Sequence, residues 1–119
     1  MPYWDKNGQP IELLQWGTEF SNWEYKLVAD EEFIGNDGTV HRVTTVWLGD
    51  NFEDELRDPD CANKPGYVPR IFGTLIRPEQ SELRHHTLDE AKKNHDIIVQ
   101  CLKSGDLETL NKMIEDCGV

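Results

Sequence analysis

Apolar positions recur every three or four residues in some stretches of the chain and every second residue in others, and these two periods predict its elements. The helical period is clearest after Thr87-Leu88-Asp89-Glu90, a capping box in which the Thr87 hydroxyl can accept the Glu90 N–H. A helix is predicted from there to about Lys103, with Leu88, Ala91, His95, Ile98 and Leu102 on its buried face. Ser104-Gly105 ends it. Asp106 then caps a last helix that carries Leu107, Leu110, Met113 and Ile114 on one side. Near the start, Asp5-Lys6-Asn7-Gly8 reads as a turn, and Pro10 suits a first helical position. Ile11 to Phe20 follows as a short helix, weakened by Gly17 and left at Ser21-Asn22.

The alternating period predicts the strands. From Trp23 to Ile34, Tyr25, Leu27 and Ala29 alternate with Glu24, Lys26 and Val28. Gly35-Asn36-Asp37-Gly38 reads as a hairpin loop. Thr39 to Leu48 is rich in β-branched residues, with Val43, Thr45 and Trp47 on one side and Val40, Thr44, Val46 and Leu48 on the other. A strand apolar on both sides is expected to be central. Arg70 to Arg77, with Ile71, Phe72, Leu75 and Ile76, reads as a third strand ended by Pro78, and Leu83 to His86 as a short fourth. Between strands two and three lies a long connection, residues 49–68. A structureless segment of that length is unusual in a compact domain. It either hides a helical turn around Phe52 to Leu56 or is a functional or mobile loop. The order of elements predicts an α+β fold: an antiparallel meander of three to four strands, helices packed on one face, and a C-terminal helix pair. No repeat or linker interrupts the chain, so residues 1–119 are expected to form one domain, with the helix at 106–117 as an appendage.

Charge narrows the function. Twelve basic residues face 23 acidic ones, a net charge of −11. That argues against direct nucleic-acid binding, which needs a Lys/Arg face, and against anionic membranes. It suits solubility and a basic protein partner. The three cysteines, Cys61, Cys101 and Cys117, have no framework spacing and no C-x-x-C, which points to a reducing, cytoplasmic setting. The opening Met-Pro-Tyr-Trp-Asp lacks the pattern of a secretion signal. No apolar stretch approaches the ~18 residues of a membrane span.

Candidate chemistry is sparse. Consecutive His85 and His86 on a strand would point to opposite faces and could not chelate one ion together. His95 falls on the buried stripe, where a core histidine with hydrogen-bond partners is the expectation. The acidic loop lacks the glycine and terminal glutamate of an EF-hand. No G-x-S-x-G or phosphate-loop motif occurs. Cys101 suits a small core residue, whereas Cys61, in the acidic loop, is expected to be more exposed and its thiolate disfavoured by carboxylates. No metal site and no cofactor is expected. The four tryptophans, Trp4, Trp16, Trp23 and Trp47, can each bury on the order of 150–250 Å² in the core, or line a pocket that stacks a flat ligand.

Several segments, read in order, carry a resemblance. They are Tyr3-Trp4-Asp5 with Asn7-Gly8 and Pro10-Ile11, Gln15-Trp16 with Phe20, and Thr45-Val46-Trp47-Leu48-Gly49 followed by Asn51-Phe52. Ile71-Phe72 with Thr74, and Thr87-Leu88-Asp89-Glu90-Ala91 with His95, complete the set. Together they resemble a group of small uncharacterised proteins of bacteriophage and actinobacterial genomes. The Thr-Val-Trp-Leu-Gly segment is the most specific part. Those relatives usually carry Asp-His before the Asn-Phe, where this chain has Asp50 alone. The resemblance implies a phage or prophage accessory protein of the bacterial cytoplasm; the group has no assigned activity, so it supplies no mechanism.

Three functional readings follow. The first is a non-enzymatic interaction module that binds a host or phage protein, through Asp50, Glu53, Asp54, Glu55, Asp58 and Asp60 of the acidic loop, to modulate host defence or nucleic-acid processing. The second is a binder of a nucleotide-like small molecule through Trp23, Trp47, Arg70 and His86. The third is a small hydrolase using His86 or His95 with Asp50.

Overall fold

The computed structural model describes residues 2–118. Four strands form one antiparallel sheet in the order β3-β4-β5-β6: β3 (Leu27–Ile34), β4 (Val40–Trp47), β5 (Phe72–Arg77) and β6 (Ser81–His85). Helix α4 (Leu88–Ser104) packs along this sheet, and α5 (Leu107–Cys117) packs against α4 and β6. The fold is therefore α+β, a meander with a C-terminal helix pair. As expected, β4 is an interior strand, and of its two sides the one with Val43, Thr45 and Trp47 is buried. The Thr87 hydroxyl accepts the Glu90 N–H at 3.1 Å and starts α4 where the capping box predicts.

The covered face of the sheet has three layers. One apolar cluster contains Val43, Ile76, Leu83, Ile98, Leu102 and Leu110. A second contains Trp47, Ile71, Phe72 and Ala91. Between them β4, β5, β6 and α4 contribute a row of polar side chains, Thr45 and Thr74 directly opposite each other and His85 one pair further along, opposite Phe72. Thr45 Oγ1 and Thr74 Oγ1 lie 2.6 Å apart. Thr45 Oγ1 is 2.8 Å from His95 Nδ1, and Thr74 Oγ1 is 2.8 Å from His85 Nε2. Asn94 Nδ2 donates to His85 Nδ1 at 3.1 Å, and His95 Nε2 meets Glu31 Oε1 at 3.2 Å. One direction of donation satisfies every member: Asn94 to His85, to Thr74, to Thr45, to His95, to the Glu31 carboxylate. A buried polar row of this kind is tolerable only when it is complete. His95 is thus a partnered core histidine.

Three elements differ from the expectation. Pro10–Ile11 (β2) pairs with Tyr3–Trp4 (β1) instead of opening a helix, because Asp5 Oδ1 accepts the Asn7 and Gln9 N–H groups and turns the chain back. The first helix, α1, is Leu13–Phe20. Trp23–Lys26 is a single helical turn, α2, started by the Asn22 side chain, which accepts the Tyr25 N–H, so β3 begins only at Leu27. Helix α5 is no appendage: Leu110 is buried, and Met113, Ile114 and Cys117 pack against the first cluster.

The N-terminal segment closes the second cluster. Trp47 Nε1 donates to the Trp4 carbonyl at 3.0 Å, and Trp16 Nε1 to the Leu48 carbonyl at 2.9 Å. Both indoles crowd Gly49, whose φ is 74°, so a side chain there would be strained and would collide with both rings.

Candidate functional site

The connection at 49–68 carries secondary structure of its own, and the predicted turn at Phe52 is helix α3 (Phe52–Arg57). Six residues are too few to hold a helix in water without tertiary support. Here the support comes from Asp54. Its Oδ1 accepts Arg70 Nε at 2.8 Å, and its Oδ2 accepts the Tyr67 hydroxyl at 2.9 Å and the Arg70 backbone N–H at 3.3 Å. Asn51 Nδ2 donates to the Tyr67 oxygen at 3.0 Å. The Asp54 and Arg70 side chains are 11% and 12% exposed, so this pair is largely withdrawn from solvent. Burial pushes the Tyr67 phenol up, and the Asp54 hydrogen bond and charge push it further. At the far end Arg57 donates to the Gly118 carbonyl, and Lys64 pairs with Asp58.

With Asp54 pointing inward, Phe52 and Leu56 lie one helical turn apart and are 49% and 62% exposed. Glu55 is half-buried and Asp60 exposed. Glu53 lies 3.8 Å from Arg84, a loose pair that Glu82 shares at the same distance. Burial pushes the Asp50 carboxyl up, while its Oδ1 accepts the Phe52 N–H at 3.1 Å. The six acids of the loop therefore divide. Asp54 and Asp58 hold the segment folded, Asp50 receives the start of α3, and Glu55 and Asp60 have no Lys or Arg partner among the described residues.

The pocket candidates divide as well. Arg70 and His86 share a shallow cleft of about 400 Å³ with Asp54, Asp58, Cys61 and Tyr67. His86 Nδ1 is 3.0 Å from the Val68 carbonyl. Trp47 is absent from this cleft because it is fully buried in the second cluster. Trp23 is 53% exposed on α2 and does not line it either. Cys61 is buried, contrary to expectation, because a short 3-10 turn at Cys61–Asn63 tucks it into the cleft wall.

The histidines proposed for catalysis are also separated. His95 is fully buried in the polar row, and Asp50 bonds the start of α3. Among the described residues no three His, Cys, Asp or Glu side chains are grouped as a metal ion requires. No helix among them is long and apolar enough to cross a membrane. No family model matches the chain, and no match to it was found among curated proteins or solved structures. The residue that sequence reasoning missed is Tyr67, which carries no motif; Asn51 entered only through the resemblance, and Phe52 and Leu56 only as the bounds of a possible helical turn, not as an exposed apolar pair, although their four-residue spacing was the available signal.

Proposed function

We propose that this chain is a protein-interaction module whose contact is the outer face of α3. The observation that carries the proposal is Phe52 and Leu56, two large apolar side chains held exposed on a helix pinned from behind by Asp54. Fully burying such side chains is worth about 1.5–3 kcal/mol each, and a pre-ordered helix loses little entropy on docking. Glu55 on the same helix and Asp60 in the turn that follows it, within a chain of net charge −11, favour a partner with an apolar pocket ringed by Lys or Arg. The resemblance to phage and actinobacterial proteins makes a host defence or nucleic-acid-processing protein the first partner to test, because a site built to bind nucleic acid is basic and an acidic chain can occupy it.

The test is quantitative capture from bacterial lysate with the wild type, a Phe52→Ser/Leu56→Ser variant and a Glu55→Gln/Asp60→Asn variant. The serine variant should lose at least about tenfold of the captured protein while its stability stays within about 0.5 kcal/mol, as for exposed sites. The charge variant should retain capture but lose most of its salt dependence. A protein retained equally by all three chains, or none retained by the wild type, overturns the reading.

A further inference from the structure

A second site lies at the other end of the first core cluster, where the β3–β4 hairpin tip, the turn between β5 and β6, and the junction of α4 with α5 meet. They enclose a cavity of about 300 Å³. Its walls include Ile76, Leu102, Leu110 and Ile114, and Leu107, 57% exposed, stands among its lining residues. No residue of α3 or of the Asp54 cluster belongs to it.

The polar part of the lining is unbalanced. His41 is 4% exposed, and its ring lies between two carboxylates. Nε2 is 3.5 Å from Asp37 Oδ1, and Nδ1 is 3.0 Å from Glu79 Oε1. The Nδ1 contact is out of hydrogen-bond alignment, so this buried nitrogen has no hydrogen-bond partner. The hairpin tip lies close to the same ring: a side chain at the buried Gly35 would collide with it, so glycine there leaves the imidazole its room. Among the described residues neither Asp37 nor Glu79 has a Lys or Arg partner. A neutral imidazole has one N–H to offer two carboxylates, and an imidazolium has one positive charge for two negative ones. In either state net negative charge stands at the mouth of an apolar cavity, on carboxylates that are 66% (Asp37) and 42% (Glu79) exposed and so reachable from solvent.

We infer that this cavity binds a compact organic cation: an ammonium group against Asp37 and Glu79, with its apolar stem against Ile76, Leu102 and Leu110. A neutral apolar ligand would draw nothing from the carboxylates, and an anion would be repelled by them. The size sits at the lower end for small-molecule sites, which suits a six-carbon chain better than a nucleotide. A free alkylamine and a lysine side chain of a peptide share this chemistry.

The test is an NMR titration of the full chain with n-hexylammonium, n-hexanol and Nα-acetyl-lysine methylamide, following the amides of Asp37, His41, Gly105 and Asn111. Hexylammonium should give saturable shifts at these positions and bind at least about tenfold more tightly than hexanol. Glu79→Gln should weaken it by about tenfold. Adding Asp37→Asn, which keeps an oxygen to accept the Thr39 N–H as Asp37 does at 2.9 Å, should abolish it. Tighter binding of the lysine derivative identifies a peptide as the source, and tighter binding of hexylammonium a free amine. Equal affinity for hexanol, an unchanged Glu79→Gln variant, or no saturable shift at these amides overturns the assignment.

Discussion

His85 shows how one side chain ties pH to stability. It is fully buried, accepts from Asn94 and donates to Thr74, and so is held neutral by its place in the polar row. Burial pushes it down to about 4 from 6.5, helped by the nearby charges of Arg70 and Arg84. The unfolded chain then binds a proton between about pH 6.5 and 4 that the folded chain does not, so this contribution is complete above pH 6.5 and is lost as pH falls toward 4. At 1.36 kcal/mol per unit the loss is on the order of 3 kcal/mol. Urea unfolding of the wild type and of His85→Gln at pH 7 and pH 4 checks it. The wild type should lose about 3 kcal/mol more than the variant over that interval. Equal losses would show that His85 does not carry the acid sensitivity.

At the scale of elements, α3 depends on one carboxylate. Asp54→Asn keeps the shape but removes the charge facing Arg70, leaving a largely buried guanidinium without its counter-ion. Breaking such a pair costs on the order of 3 kcal/mol. The cost should appear first as local opening of α3, with exchange of the Glu55 and Asp58 amides, which bond the Asn51 and Asp54 carbonyls, rising about a hundredfold. Unchanged exchange would mean that packing, not the ion pair, holds the helix. The same element marks where sequence reading stops. Helix α4 and the β3–β4 hairpin were legible because capping box, buried stripe and turn residues are local signals. The helical turn at Phe52 was one of two readings of its segment, because what selects it, Arg70 and Tyr67, lies 13 to 16 residues away. The polar row was hidden for a similar reason: Thr45 and Thr74 fit a strand by β-propensity alone, and only the pairing of β4 with β5 sets them opposite each other.

Over the whole molecule, the row of Thr45, Thr74, His85 and His95 decides whether the two apolar clusters behave as one body. If the row couples them, a cavity made in the first must be felt in the second. Leu110→Ala provides the cavity: α5 buries that side chain among Leu83, Ile98 and Leu102, far along the sheet from Trp47, and leucine truncation in a core costs about 2–5 kcal/mol. Tryptophan fluorescence reports the second cluster, where Trp4 and Trp16 pack against the buried Trp47, and far-ultraviolet circular dichroism reports the helices, most of whose residues lie in α4 and α5. The expected outcome is one urea transition, shifted to a lower midpoint by the same amount in both signals, with an unchanged slope. A circular-dichroism midpoint that moves while the fluorescence midpoint stays would show α5 unfolding by itself and the polar row acting as a seam. The completeness of the row favours coupling: parting the clusters there would expose or strand four hydrogen-bonded side chains at once, so each cluster is stabilised against opening without the other.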